Sequence, residues 1–448
     1  MNDIFNVPDY IKEINNRLIT NGYESFLVGG CVRNTLLHLD IKDYDITTNC
    51  DINVLKSIFS DYKIINSNGE KHNTISLYVE GNIVEITSYK HTNTERNSIE
   101  NDLKHRDLTI NSIAYSINLN TLVDLNLGYN DLNNKIIRFV GNPIDRIKED
   151  PLRILRALRF SSLLGFEIEE ESAKAIHKCR DLLNKVSVER IKTELDKIIV
   201  SNNIKSVLLD YKDVIFTIIP ELKTCDGFDQ KNPYHANTLY NHIVNVCSNV
   251  YSKNNTSVEN IRLTRYAALF HDIGKPMCFS LDGDGIGHFY GHAEKSALIA
   301  LDIMKRLKYS SAELEKIEYL IKRHDATINL TKKSVRKNLS NVVNCDQELF
   351  LMLIELMNSD RLDHTQYELI DIQKIKDIIK ELKEDNECIK LVELSVNGYD
   401  LINLGLRGKE IGDTLNHLLE LVLDGKLSNT KQDLLEYVKK KIINDEVK

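Results

Sequence analysis

Leu27-Val28-Gly29-Gly30-Cys31-Val32-Arg33-Asn34-Thr35-Leu36-Leu37, followed after a short polar connector by Lys42-Asp43-Tyr44-Asp45-Ile46-Thr47, is the stretch around which this chain is organised. The apolar run at 25–28 predicts a buried strand, the glycine pair a tight turn, and residues 32–39 the opening of a helix. Glycines at such a turn let backbone approach a ligand closely, and the N–H groups of a helix start favour anions, so a phosphate is the expected guest. Asp43 and Asp45 fall in a segment that reads as a strand, where residues two apart face the same side. Two carboxylates held that close are costly unless a cation neutralises them, which points to a divalent metal. Taken singly, a Gly-Gly pair is most often a plain turn and an Asp-x-Asp a solvated face. Their combination at this spacing is what carries information.

The rest of the chain sets the bounds. At 448 residues it is too long for one core and suggests roughly two to four domains. With 42% hydrophobic and 28% charged residues it has the composition of an ordinary soluble globular protein. No stretch reaches the roughly 20 apolar residues that a membrane span needs. The start, Met1-Asn2-Asp3-Ile4-Phe5-Asn6, lacks a signal peptide's basic-then-apolar layout, and the 8 cysteines include no Cys-x-x-Cys, so a cytoplasmic protein with reduced thiols is expected. The net charge of −8 argues against a nonspecific nucleic-acid coat protein but leaves room for local basic patches. Only 6 prolines and 19 glycines interrupt the chain, so most of it should be regular structure.

Along the chain, Ile4, Val7, Ile11, Ile14 and Leu18 recur at helical spacing over residues 1–20. A helix is expected at 52–59 and a strand at 62–66. Residues 74–79 and 82–87 alternate around Glu80-Gly81, which predicts a hairpin. Glu85 lies in its second strand; alone it reads as an exposed strand glutamate, but beside Asp43 and Asp45 it would complete a metal cage.

The glycine pair followed by Asp43-Tyr44-Asp45 resembles the nucleotidyltransferase signature of the DNA polymerase beta superfamily. His105-Arg106-Asp107-Leu108-Thr109-Ile110-Asn111 resembles the second motif of class II tRNA nucleotidyltransferases, departing from it at His105 and Leu108. Asp124 to Leu132 and Ile136 to Gly141 resemble that family's hinge. Glu149-Asp150-Pro151-Leu152-Arg153 resembles its protein template, and Ser187-Val188-Glu189-Arg190-Ile191 its helix-stabilising motif. Read from the residues alone, Pro151 suits the first position of a helix, Asp150 its cap, and Arg153, Arg156 and Arg159 a basic stripe. The resemblance implies more. Asp43, Asp45 and Glu85 are then catalytic, with Asp43 and Asp45 holding Mg²⁺. Gly29, Gly30, Arg33, Arg106, Asp107 and Asn111 contact the nucleotide's sugar and phosphates, Asp150 and Arg153 select C or A, and Arg156 and Arg159 hold phosphates. Asn34 stands where the family usually has an aspartate.

Composition breaks again at 225–233, a candidate boundary. Beyond it His242, His271-Asp272, His292, His324 and Asp360 form a series resembling the HD phosphohydrolases, with His271-Asp272-Ile273-Gly274-Lys275 its most specific piece. Any one of these histidines alone reads as an ordinary core or surface residue. By resemblance His242, His271, Asp272 and Asp360 are metal ligands, with His292 and His324 available to a second ion, and a divalent transition metal such as Ni²⁺, Mn²⁺ or Fe²⁺ suits imidazole donors. Residues 283–287 are expected to form a loop at its mouth. In the tail, Gly398 to Gly405 and Arg407-Gly408-Lys409 resemble the family's tRNA-binding end.

The expected architecture is α+β: a polymerase-beta-like nucleotidyltransferase head over 1–140 with a small mixed sheet, a helical neck over 141–224, an HD domain over 225–385 and a helical tRNA-binding tail over 386–448. The implied activity is addition of CCA to the 3′ end of tRNA from CTP and ATP without a nucleic-acid template, with a second phosphohydrolase activity at the HD site. One feature implies an alternative. About 16 residues separate Tyr89 from Arg106, where family members that complete CCA usually carry a longer loop, and CC-adding enzymes lack it. A poly(A) polymerase or an HD phosphodiesterase with an inactive head are further rivals; Asp43, Asp45 and Arg106 speak against the second.

Overall fold

The computed structural model describes residues 5–65, 73–89, 97–232, 237–250, 257–364 and 368–446. The chain forms two compact units, Met1–Ile218 and Ile219–Lys448.

In the first unit, seven strands among the described residues make one mixed sheet: β1 (Phe26–Val28), β2 (Tyr44–Thr48), β3 (Lys63–Ile65), β4 (Thr74–Val79), β5 (Asn82–Ser88), β6 (Ala114–Ser116) and β7 (Thr121–Val123), in the order β3-β4-β5-β2-β1-β6-β7. Only β2 and β5 run parallel; the other neighbours are antiparallel. The β4–β5 hairpin turns at Glu80 and Gly81, both at positive φ, as a two-residue turn between right-twisted strands requires. Helix α1 (Asp9–Thr20) buries Ile11, Ile14 and Leu18. It begins at Asp9, because Pro8 stands at its cap. Helix α2 (Gly30–Leu36) starts two residues before the sequence suggests, directly from the Gly29 turn. Helix α3 (Ile52–Ile58) is capped by Asp51, whose side chain accepts from the Asn53 N–H. Helices α4 (Ile99–Lys104) and α5 (Gly128–Asn133) flank a 3-10 turn at Thr109–Asn111. Gly128 packs against the Thr109 carbonyl so closely that no side chain fits between them.

The hinge strand β8 (Ile136–Ile137) pairs in parallel with β9 (Glu167–Ile168). Between them lie α6 (Pro143–Glu149), capped by Asn142, and α7 (Arg153–Leu164), which ends at Gly165 in the left-handed conformation. Residues 150–152 depart from expectation: Asp150 is extended at φ −148, and α7 begins at Arg153 after a tight turn in which Arg153 N–H bonds the Asp150 carbonyl. Asp150 accepts from the Leu152 N–H at 3.2 Å, which holds the turn, but the cap of α7 is Leu152 with no side-chain capping bond, so Asp150 and Pro151 do not take the cap and first-helical positions expected of them. Helices α8 (Glu170–Cys179), α9 (Val188–Ile199), α10 (Ile204–Asp210) and α11 (Lys212–Ile218) complete the unit.

The second unit is mostly helical: α12 (Leu239–Asn249), α13 (Val258–Phe270), α14 (His292–Arg306), α15 (Ser311–Arg323), α16 (Lys332–Ser340), α17 (Gln347–Arg361), α18 (Ile372–Glu384), α19 (Gly398–Ile402), α20 (Lys409–Leu423) and α21 (Lys431–Glu446). Helix α13 buries Leu263, Tyr266, Ala267, Ala268 and Phe270 on all sides, as a central helix must, and α12, α14, α15 and α17 pack around it. The expected loop at 283–287 belongs to a short hairpin, β10 (Ser280–Leu281) with β11 (Gly287–His288), because Asp282 folds the turn by accepting from the Asp284 and Ile286 N–H groups. In the tail, Leu401, Leu418, Val422, Leu434 and Val438 form a separate small core.

Two candidate metal centres

The first site is built on the parallel pair β2·β5. Its register sets Asp45 directly beside Glu85, and residues opposite one another in parallel strands share a face. Asp43 lies just before β2 and is exposed. Asp45 also touches the glycine turn: a Cβ at Gly29 would lie 3.4 Å from Asp45 Oδ2 and 3.6 Å from Arg106 Nη1, at a φ of +71. Burial, then the charge of Glu85, push the Asp45 carboxyl up to about 6, despite Arg106 and Arg33 nearby. Burial and the Glu85 charge both disfavour the ionised form, and a cation bound here would offset both. Asp45, Glu85 beside it in register and Asp43 two residues before it are hard oxygen donors of the type Mg²⁺ takes, so the residue types fit the ion that the sequence implies, although among the described residues only the second unit gathers three His, Cys or carboxylate donor atoms within 4.8 Å of one another.

Behind this face runs a chain of polar contacts. Arg33 Nη1 donates to Asn111 Oδ1 at 2.6 Å, Asn111 Nδ2 to Asp107 Oδ1 at 3.3 Å, and Arg156 Nε to Asp107 Oδ2 at 2.6 Å. Asp107 is buried, which disfavours its charge, but the Arg156 guanidinium outweighs burial and holds the carboxyl well below the ordinary range. Arg33 and Arg159 lie over the Phe160 ring at 4.6 and 4.3 Å, and Arg159 is tied to Glu194 at 3.2 Å. Burial, then repulsion from Arg159, bring Arg33 down to about 10. Crowded, partly desolvated guanidiniums are the electrostatic counterpart of a polyphosphate. Arg106 is held by Asp102 at 2.9 Å.

The two residues expected to read the base are present but engaged. Asp150 Oδ2 accepts from Arg190 at 2.8 Å. Arg153 Nη1 donates to Glu149 at 2.7 Å and to the Arg146 carbonyl, and Nη2 to the His105 carbonyl. Asp107 and Asn111 touch the arginines, so they act as supports for them. Asp102, Glu194 and Phe160 add supports beyond those the motifs imply: Asp102 lies one helical turn before Arg106 and Phe160 directly after Arg159, whereas Glu194 is 35 residues from Arg159. Asn34 keeps an acceptor where the family usually has a carboxylate, its Oδ1 taking Arg33 Nη2 at 2.8 Å.

The second site lies within the second unit, where α12, the end of α13, the starts of α14 and the turn after α15, and the end of α17 converge. His242 Nε2 is 3.3 Å from Asp272 Oδ2 and 3.2 Å from Asp360 Oδ1, and His271 Nε2 is 3.2 Å from Asp272 Oδ2. On the other side of the same carboxylate, Asp272 Oδ1 is 3.3 Å from His292 Nε2 and 3.7 Å from His324 Nε2. All six expected residues are thus brought together. Three of the rings are aimed by backbone: Nδ1 of His271, His292 and His324 bonds the carbonyls of Ala268, Phe289 and Ile321 at 2.7, 2.9 and 2.7 Å. That tautomer turns each Nε2 lone pair inward. His271 Nε2, Asp272 Oδ1 and Asp360 Oδ1 are buried there without a hydrogen-bond partner. Burial lowers the affinity of His271 for a proton, but Asp272 and Asp360 override it and lift it to about 9, whereas burial and then the charge of His271 bring His324 down to about 4. Inward-facing imidazoles sharing carboxylates fit divalent transition metals. Lys275, quoted in the motif without a role, holds Asp272 Oδ2 at 2.6 Å and Gln230 at 3.0 Å. His364 and Asp363 were missed, although their spacing of four and three from Asp360 could have revealed them.

The fold and the first site define a nucleotidyltransferase of the polymerase-beta type. Family models agree by segment: "Poly A polymerase head domain" matches residues 25–138, "Probable RNA and SrmB-binding site of polymerase A" 165–224, and tRNA nucleotidyltransferase domain 2 residues 292–438. The CCA-adding enzyme of Ligilactobacillus salivarius is 30% identical, with 97% of this chain and 98% of that one covered, and that of Bacillus velezensis is 28% identical over 94% and 95%. The chain belongs to the family of CCA-adding enzymes. Its fold is also that of the Bacillus stearothermophilus CCA-adding enzyme in complex with CTP, at a TM-score of 0.69, 21% identity and coverage of 98% and 99%. The Thermotoga maritima CCA-adding enzyme complexed with tRNA matches at 0.59, 20% identity and coverage of 97% and 96%. No described helix is long and apolar enough to cross a membrane.

Proposed function

We propose that this chain adds C, C and A in turn to the 3′ end of tRNA from CTP and ATP, releasing pyrophosphate at each step. The observation that carries the reading is the register of Asp45 beside Glu85, next to the Gly29 turn and the Arg33–Asn111–Asp107–Arg156 chain. Asp43, Asp45 and Glu85 would hold Mg²⁺, which would lower the pKa of the tRNA 3′-hydroxyl and neutralise the leaving pyrophosphate. The backbone of the Gly29-Gly30 turn admits the triphosphate, and Arg33, Arg106, Arg156 and Arg159 neutralise it. Asp150 and Arg153 offer an acceptor and donors to the edge of C or A. Their present partners do not prevent this: Arg190 and Glu149 are about half exposed, and such pairs hold by only about 0–1 kcal/mol. The test is nucleotide choice on a tRNA transcript lacking its terminal CCA. Incorporation of label from CTP and ATP but not from GTP or UTP is expected; equal use of all four would remove the template assignment.

The second cluster supports a second reading alongside the first: a metal centre that hydrolyses phosphoesters, with 2′,3′-cyclic phosphate ends or 2′-nucleotides as the substrate class. The inward-facing Nε2 atoms sharing Asp272 support it. Hydrolysis of a chromogenic phosphodiester with Mn²⁺, lost in His271→Ala while CCA addition persists, is the expected result. Hydrolysis undiminished in that variant would contradict it.

A further inference from the structure

Asp360, Asp363 and His364 are spaced i, i+3 and i+4 across the last turn of α17 and the turn that follows, which brings their side chains to one side. His364 Nε2 lies 3.5 Å from Asp360 Oδ1, and its ring stacks on that of His242 at 5.9 Å and 27°. His242, Asp360 and His364 can together present one donor atom each within 4.8 Å of one another. Asp363 is placed differently. Its Oδ2 meets His242 Nδ1 at 2.8 Å, and its Oδ1 accepts from Asn237 Nδ2 at 3.1 Å and Asn245 Nδ2 at 2.7 Å. With both oxygens engaged, it faces the back of His242, away from the donor cluster. His242 is therefore backed by a carboxylate, while His271, His292 and His324 are backed by neutral carbonyls.

We propose that His364 is a further ligand at the position formed by His242, His271, Asp272 and Asp360, and that Asp363 positions His242 for that metal. This rests on the reading of the cluster as a metal centre. The consequence is an unequal pair of positions. The first gathers donors from five side chains and a ligand whose basicity the Asp363 carboxylate raises, so it binds tightly and keeps little open coordination. The second, Asp272 Oδ1 with His292 and His324, has three protein donors, so it exchanges its ion and leaves positions open for water and a phosphoryl oxygen. Asp272 belongs to both, one oxygen to each.

The experiment is calorimetric titration of Mn²⁺ into the full-length, chelator-treated protein, with free ion counted in parallel by electron paramagnetic resonance. Two classes of binding are expected from the cluster, one tight and one weak, and an Asp43→Asn/Asp45→Asn variant titrated in parallel identifies the ion taken by the head carboxylates. His364→Gln should weaken the tight class about 10- to 100-fold and leave the weak class in place. Asp363→Asn should do the same with unchanged stoichiometry, and Asp363→Glu should restore part of the affinity. His324→Gln should weaken the weak class alone. His364 is a quarter exposed, so its replacement is compatible with folding, which a melting curve verifies. A tight class that His364→Gln and His364→Ala both leave unchanged overturns the assignment of His364. Asp363→Asn without effect overturns the positioning role. If the wild type binds Mn²⁺ no better than a His271→Ala/Asp272→Ala double variant, the metal-centre reading itself falls.

Discussion

Asp45 and Glu85 stand opposite each other in register on the parallel neighbours β2 and β5, 40 residues apart in sequence. Burial and then the charge of Glu85 disfavour the ionised Asp45 carboxylate, a cost that a bound cation would offset. Asp45→Asn relieves that repulsion, so it should leave stability unchanged or raise it slightly while lowering nucleotidyl transfer by on the order of a thousandfold or more. A filter-binding measurement should find tRNA affinity retained. Wild-type activity in this variant would remove the catalytic assignment.

Asp107 is the keystone of the arginine cluster. Asp107→Asn leaves Arg156, which is about one-third exposed, without its counter-charge and weakens the hold on Asn111 and hence Arg33. A loss of about 2–3 kcal/mol in urea unfolding is expected, less than for a fully buried pair. KM for CTP should rise about tenfold, with a smaller change in kcat. A change in kcat alone would mean that Asp107 does not act through the phosphate-binding arginines.

Gly29 sits at φ +71 and ψ −126, a conformation that side chains adopt at a cost of about 1–3 kcal/mol. Its missing Cβ leaves space beside Asp45 and Arg106. Gly29→Ala should therefore lower the melting temperature and raise KM for both nucleotides, whereas Gly22→Ala, also at positive φ but with nothing within 4 Å, should affect stability alone. Equal KM values in the two variants would contradict a close approach of substrate at Gly29.

Glu313 links α15 to α13. It accepts from Arg262 at 2.6 Å and from the Ser310 N–H in a capping box, and these contacts outweigh burial and bring its carboxyl down to about 2. A depressed folded pKa gives stability that is complete above the unfolded value of about 4.3 and is lost as pH falls towards 2. After allowance for partial exposure this amounts to about 1–2 kcal/mol. Glu313→Gln should remove most of that stability at pH 7 and flatten the acid limb between pH 4.5 and 2.5 by this amount, read by chemical denaturation at each pH; an unchanged acid limb would contradict the assignment.

Much of the site could be read from the sequence because its motifs are local. Gly29, Gly30, Asp43 and Asp45 fall within one strand–turn–helix–strand run, and the Glu80-Gly81 turn fixes the hairpin that carries Glu85. Supporting contacts were hidden by distance: Arg33 meets Asn111 across 78 residues, Asp107 meets Arg156 across 49, and Arg159 meets Glu194 across 35. Helix starts were misplaced where special residues intervene, with α2 beginning early at the Gly29 turn and α7 late because Asp150 is extended. In the second unit, the His-Asp series named the six residues that converge. His364 is linked locally to Asp360, four residues before it, and its spacing carries that signal, whereas the contact of Asp363 with His242 spans 121 residues and is not written in any local pattern. The expectation of a short loop before Arg106 involves residues 90–96, which lie outside the described residues.

The central claim is sequential addition of C, C and A, and product length tests it most directly. A tRNA transcript ending before CCA is incubated with Mg²⁺ and the purified protein, with CTP alone or with CTP and ATP, and products are resolved at single-nucleotide resolution. Two additions with CTP alone and three with both nucleotides are predicted. Arrest at two cytidines with ATP present would contradict the account and make this a CC-adding enzyme.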